Sequence, residues 1–391
     1  MIKHLLYIVS ILIVISSCSK EAPAPEQVDS FVKFYGETSV TKGVDVKQLP
    51  DGGYIAIGTT LTPANDSDIY LIKVDKFGNK VWDKNIGTSN NETANSLVLL
   101  DDGNVIIQGN TSITSTVSNI FLVKADGNGD IQWSRTIGGT ESIKGYCIQK
   151  TKSNEFVIAG SYKNSSGFKN AMILFTDNSG NNPDYVKTTS AKYNNEASYV
   201  IELNEGGYMF IGYSQSSIAS YSGVYIDVVS ENKILKNLSI NYGIIGDYGN
   251  CIKQINDTIF YFLATTLTKD SGSNISIAKL KHIDYTSDSI FWERTIGGKG
   301  NDYGKSIELL TNRDISLTGI ISNTDNTQSI VLAKFNANGT QISYVKFGNF
   351  GNQTAEKIVN TADNGFVIVG TNTIKGNSVL SLIKVNNSGG L

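Results

Sequence analysis

The sequence predicts an all-β fold, a seven-bladed β-propeller with four strands per blade, and three observations carry that reading. First, a residue that ends an apolar run recurs down the chain as Gly58, Gly109, Gly160, Gly212, Ala264, Gly319 and Gly370, at a nearly constant spacing. A repeat of this length marks a supersecondary unit that buries its faces against its neighbours. Second, fifteen residues before each of these stands another small residue: Gly43, Ala94, Gly145, Ala197, Gly249, Gly304 or Ala355. Third, the last copy lacks its final strand, and a segment with that strand's signature precedes the first copy.

Each copy reads as four strands. The first follows the small residue and carries Val46, Leu97, Ile148, Val200, Ile252, Ile307 or Ile358 three positions later. A tight turn such as Asp51-Gly52-Gly53 or Asp102-Gly103-Asn104 supplies the positive φ that hairpins need. The second strand is continuously apolar, as in Val105-Ile106-Ile107 and Phe366-Val367-Ile368-Val369, which suits a strand covered on both faces. The third, exemplified by Ile69–Val74, ends in Asp/Asn-x-x-Gly at Asp75/Gly78, Asp126/Gly129, Asp177/Gly180, Asn336/Gly339 and Asn386/Gly389. There the Asp or Asn side chain opens the turn and the glycine takes its left-handed end.

The fourth strand carries aromatic-x-basic: Trp82/Lys84, Trp133/Arg135, Tyr185/Lys187, Trp292/Arg294 and Tyr344/Lys346. All three Trp residues occupy this place, and they are expected to fill core between blades. Copy four departs from the pattern, with Leu235-Lys236-Asn237 in the aromatic slot and Ser230 to Lys233 in place of the turn. Phe31-Val32-Lys33-Phe34-Tyr35-Gly36 aligns with Trp82 to Gly87, so the N-terminal strand is expected to complete the last sheet and close the ring. Closure removes exposed sheet edges and ties the chain ends together. The first strand, opened by Gly or Ala, is expected innermost and the aromatic strand outermost.

Ahead of the ring (31–391) lie two shorter modules. Residues 1–17 have a polar start at Lys3 and His4 and an eleven-residue apolar run from Leu5 to Ile15, too short to span a bilayer but suited to a secretory signal. The run ends Ile15-Ser16-Ser17-Cys18, which resembles the bacterial lipobox. That resemblance implies cleavage before Cys18 and its acylation, and two or more acyl chains give a stable membrane anchor. Residues 18–30 hold the lipidated Cys and a Pro-containing stalk. Ser19 after the cysteine resembles an outer-membrane address, and Lys20-Glu21 resembles the charged export signals of surface lipoproteins in Bacteroidota.

Composition excludes some chemistry. A net charge of -3 with mixed signs gives no basic stripe for nucleic acid. Of two His residues, His4 leaves with the signal and His282 falls in the irregular insertion Lys279 to Ser289, expected to be a solvated loop. Cys147 and Cys251 stand two residues past the small residue in copies three and five, a blade apart, and are expected to be buried free thiols. Glu92, Asp247 and Asp302 share one slot that Thr41, Ile143, Asn195 and Gln353 fill elsewhere, and are expected on surface loops. The doublets Gly138-Gly139 and Gly297-Gly298 read as inter-blade turns. No P-loop, HExxH, CxxC or EF-hand spacing is present, so no catalytic, metal or cofactor residue is assigned.

Taken together, WxKxxGG, DGGYxxxG and DxYLxKxDxxGxxxW resemble the β-propeller repeats of bacterial, Bacteroidota-type lipoproteins. The segment Asp75 to Trp82 also resembles the repeat of quinoprotein-like propellers, whose calcium-binding acids and vicinal Cys pair have no counterpart here. The lipobox and Ser19 resemblances imply an outer-membrane lipid anchor on the periplasmic or cell-surface side, and a complete scaffold with no assembled catalytic set points to a non-catalytic binding platform for protein or glycan. The alternative is a glycan hydrolase or lyase with carboxylates at one mouth of the axial channel. Two acids about 5–10 Å apart there would favour the enzyme, and Asn, Ser, Tyr and Lys would favour binding.

Overall fold

A computed structural model describes residues 30–36, 40–188, 193–215, 222–236, 240–242, 247–268, 272–282, 289–348 and 351–391. The expected signal segment and nearly all of the stalk, including Cys18, lie outside the described residues. The chain forms seven antiparallel meander sheets. Their innermost strands are Thr41–Gln48, Asn91–Leu99, Ile143–Lys150, Asn195–Glu202, Tyr248–Asn256, Tyr303–Leu309 and Asn352–Asn360. Each packs on the next, and the blade-one strand packs on blade seven, so the array is a closed ring. No described helix is long and apolar enough to cross a membrane.

Closure takes the form the repeat implies. Phe31–Tyr35 runs antiparallel to Asn377–Val385, with Phe31 opposite Lys384 and Tyr35 opposite Leu380. The Tyr35 hydroxyl donates to the Gly78 carbonyl at 2.7 Å, which fastens blade seven to the turn of blade one. Blade five departs slightly, because Gly300–Asn301 adds a short parallel strand beside Gly272 and Ser273.

The core lies between blades. Along the second strand of blade one, Ile55 and Ile57 pack toward Leu97, Ile107 and Phe121 of blade two. Their neighbours Tyr54 and Ala56 pack toward Val367, Val369 and Leu382 of blade seven. Burial on both faces is why that strand reads as an unbroken apolar run. The turns after the third strands form as their sequences dictate: Asp75 Oδ1 accepts the Phe77 and Asn79 amides, and Gly78 sits at φ 76°.

Gly58 pairs directly with Gly43 across the two inner strands, and Gly109, Gly160, Gly212, Gly319 and Gly370 pair with the corresponding small residue of their blades. A Cβ on Gly370 would stand 1.8 Å from the Thr354 carbonyl oxygen, and one on Gly160 2.1 Å from that of Lys144. The slot therefore leaves almost no room for a side chain, although blade five fits Ala264 there.

Three expectations need correction. Trp82, Trp133 and Trp292 do stand between blades, but they are half-buried, not core. Each covers the turn glycine of the next blade, where a Cβ on Gly129, Gly180 or Gly339 would meet the ring at 2.7, 2.9 or 2.6 Å. Phe31 covers Gly78 in the same way and is buried. In blade four the outermost strand is Ile240–Tyr242, with Leu235 making only a bridge to Val229. Its turn survives the sequence change, since Ser230 Oγ accepts the Ile234 amide and Lys233 takes the left-handed position at φ 58°. His282 is half-buried with its ring edge-on to Phe260, not a solvated loop residue, while 283–288 lie outside the described residues.

Candidate functional site: the axial funnel

Every inner strand carries a β-bulge at the same place, directly after the small residue. A bulge inserts one unpaired residue and re-aims side chains. The inserted residues are Val44, Asn95, Tyr146, Ser198, Asn250, Lys305 and Glu356, and all seven line one funnel of about 440 Å³ on the axis. The residues that follow them, Asp45, Ser96, Cys147, Tyr199, Cys251 and Lys357, line it too. The fold thus collects two side chains from six blades and one from blade six at one mouth, and the repeat fixes neither position.

The charges there are mostly matched. Asp45 is buried and accepts the Val46 amide (2.8 Å) and the Lys47 ammonium (3.1 Å) on one oxygen. Its other oxygen accepts the Leu97 amide at 2.9 Å and lies 3.4 Å from the Ser96 hydroxyl. Burial alone would raise its pKa, but the cations Lys47 and Lys357 and the Leu97 amide hold the carboxyl below the usual range. Glu196 pairs with Lys169 at 2.5 Å, Glu356 with Lys305 at 2.9 Å, and deeper in, Lys253 with Glu308 at 3.1 Å. Each carboxylate of the funnel thus already holds a cation. The rest of the wall is Asn, Ser, Tyr, Cys and Lys, with Val44 and Ala94.

Lys357 is the exception. Its ammonium stands 5.0 Å from the centre of the Tyr199 ring. Among the described residues no carboxylate makes an ion pair with it. Burial works against its charge, but the ionised Asp45 nearby favours it, and its pKa stays above the ordinary lysine value. The Tyr199 hydroxyl accepts from Gln149 Nε2 at 3.2 Å, so its own proton remains to be offered. Burial pushes the Tyr199 phenol up, and does the same to the Cys147 thiol. Cys147 and Cys251 are both buried free thiols, on either side of the blade that carries Tyr199.

A second cleft, of about 470 Å³, opens beside the funnel between blades five and six and shares Ser198, Asn250 and Lys305 with it. Tyr248, Tyr303 and Leu267 line it while remaining 48%, 37% and 42% exposed. The Tyr213 ring stacks on Tyr248 with centroids 4.5 Å apart and planes 8° from parallel, which holds that face in place. On the opposite end of the ring, a cavity of about 430 Å³ between blades six and seven is lined by turns, and its Lys334 ammonium is already bound by Asn387.

The acids expected on surface loops are instead buried clamps at the mouth. Glu92 accepts the Thr88 amide at 2.8 Å and the Thr111 hydroxyl at 2.6 Å. Asp302 accepts the Gly298 and Ser322 amides at 2.9 and 2.7 Å, and Asp247 accepts the Leu267 amide at 2.9 Å. They tie the inter-blade turns and second strands to the inner strands. The same slot is filled in blade one by a Thr41–Thr60 hydroxyl contact and in blade four by Ser214 donating to Asn195. The side-chain pairs Thr41–Thr60, Glu92–Thr111 and Asn195–Ser214 are the sequence signal that this slot faces the second strand, whereas the backbone amides that bind Asp247 and Asp302 leave none.

Comparison with known proteins reaches the fold. No family model matches the chain. A stretch of 139 residues is 24% identical to the Regulatory protein FlaEY of Caulobacter vibrioides, covering 32% of this chain and 14% of that protein, so the chain spans a small fraction of that relative's length. Among solved structures, Drosophila Plexin A in complex with Semaphorin 1b superposes with a TM-score of 0.52 at 10% identity, over 91% of this chain and 86% of that one. Sqt1 from Chaetomium thermophilum superposes at 0.50 and 11% identity, over 92% of this chain and 100% of that one. At such identities the likeness shows a shared β-propeller architecture.

Proposed function

We propose that the chain is a lipid-anchored β-propeller of the bacterial envelope that uses its axial funnel as a non-catalytic binding platform for glycan or protein. The observation that carries this reading is the convergence of all seven bulge residues, of six different types, on one polar funnel. The scaffold repeats, and the funnel does not. A glycosidase general acid needs a carboxyl whose pKa is raised. Here Asp45 is held in its ionised form, and Glu196 and Glu356 are engaged by lysines.

The anchor and the funnel fit together geometrically. Inner strands run from the funnel mouth to the opposite face, and the antiparallel meander brings the third strand of blade seven, Asn377–Val385, to that opposite face at its end. Phe31, opposite Lys384, therefore enters the ring on the face away from the funnel. An anchor at Cys18 reaches that face through about a dozen residues, at most about 45 Å extended. The mouth then points away from the membrane.

The test is paired. Intact-mass analysis of the membrane-fraction protein should show diacylation or triacylation at Cys18, lost in Cys18→Ser. A screen of the detergent-solubilised full chain against envelope glycans and outer-membrane proteins should return a ligand that Ser198→Tyr, which plugs the funnel, no longer binds. An unacylated Cys18, or ligands indifferent to the plug, would contradict the reading.

A further inference from the structure

We infer that the funnel and the adjoining cleft form a site for an acidic oligosaccharide, with Lys357 taking the carboxylate of one sugar unit and Tyr248 and Tyr303 supporting the next. This rests on the platform reading above and names its ligand class.

Three observations converge. The first is charge. Asp45 with Lys47, Glu196 with Lys169, Glu356 with Lys305 and Glu308 with Lys253 cancel in pairs. Of the two lysines that line the funnel, Lys305 is paired and Lys357 has no ion-pair partner among the described residues. Asp45 lies near enough to stabilise it electrostatically, yet the four donors around its two oxygens already occupy it. Half-buried in the funnel wall, the Lys357 ammonium keeps its charge and can form charge-assisted hydrogen bonds with an anionic ligand. The Tyr199 hydroxyl, its acceptor side filled by Gln149, is a second donor beside it.

The second observation is shape. The funnel and the cleft are joined through Ser198, Asn250 and Lys305, so a ligand of two to four units can run from Lys357 out between blades five and six. The third is the wall of that path. Tyr248, on the blade-five side, is held flat by the Tyr213 ring, and Tyr303 lines the same cleft from the blade-six side. Pyranose rings present C–H faces to flat aromatic surfaces, and their hydroxyls match the Asn250 amide and the Ser198 hydroxyl. Rigid Tyr rings give contact area at low conformational cost. An acidic peptide would use Lys357 but has no comparable demand for two exposed Tyr faces.

The experiment is isothermal titration of the detergent-solubilised full chain with tetragalacturonate, its fully methyl-esterified form and tetraglutamate, at low and high salt. The expected result is binding of tetragalacturonate that weakens with salt and falls at least about tenfold on esterification. Lys357→Met should reproduce that tenfold loss without affecting the ester, and Lys357→Arg should restore binding. Tyr248→Ala should weaken acid and ester alike. Melting temperatures within a few degrees of wild type show that each variant is folded, and the arginine variant covers a methionine variant that is not. No binding of tetragalacturonate, equal binding of acid and ester, or indifference to Lys357→Met overturns the inference. So does tighter binding of tetraglutamate that ignores Tyr248→Ala, which would assign the site to an acidic peptide. If these fail while neutral glycans or proteins still bind at the funnel, the ligand class is wrong and the platform stands. If nothing binds there, both fall.

Discussion

Two sets of positions on the same inner strands behave in opposite ways. The small residue that opens each strand and the aliphatic residue three places on recur in all seven blades, from Gly43 and Val46 to Ala355 and Ile358. The two residues between them, on and after the bulge, run from Val44 and Asp45 to Glu356 and Lys357 with little in common. The first set faces neighbouring blades, while all of the second but Ser306 line the axial funnel. In a repeat protein each unit must fit its neighbours in the same way, so packing imposes sameness. The axis imposes none, and variation collects where a ligand would be met.

That contrast can be broken or sharpened by substitution, and the largest effect should come from the closing strand. Phe31 is buried against Tyr54, with centroids 5.9 Å apart, and covers Gly78. Phe31→Ala should cost about 3–5 kcal/mol in urea unfolding. A loss below about 1 kcal/mol would mean that the strand contributes little to the ring. Next, Gly370→Ala places a methyl against the Thr354 carbonyl and should cost about 1–3 kcal/mol. Trp82→Ala removes a half-buried ring and should cost about 1–2 kcal/mol, well short of a fully buried Trp.

The smallest effect is the pH response of Asp45. A carboxyl whose folded pKa is depressed adds stability that is present above its unfolded value, about 3.9, and lost as pH falls through the folded value. Asp45→Asn should therefore melt below wild type at pH 7, and the gap should narrow as pH drops below about 4. A gap that is constant from pH 7 to pH 3 would show that the carboxylate's charge is not what counts.

Much of the fold was legible because packing writes itself into the repeat. Blade number, the Asp75-type turns and the pairing of Phe31–Tyr35 with blade seven all follow from residues that recur at fixed offsets. The funnel was less legible. A bulge shifts the side-chain alternation by one residue, and nothing in Gly43-Val44-Asp45 marks that shift when read alone. Glu92, Asp247 and Asp302 are hard to place from sequence because a slot that changes residue type resembles surface, and two of the three acids are held by backbone amides that no residue identity marks. The three Trp residues recur because each shields a turn glycine, a task that half-burial satisfies.

The most direct measurement sets one variant from each group side by side. Lys357→Met changes a funnel position and Gly370→Ala a packing position. Both are titrated with tetragalacturonate and melted. The account predicts that Lys357→Met melts near wild type and loses at least about tenfold in affinity, while Gly370→Ala melts several degrees lower and binds as wild type below its transition. A funnel variant that unfolds without losing affinity, or a packing variant that alone abolishes binding, would contradict the division of the molecule into a repeated scaffold and an unrepeated site.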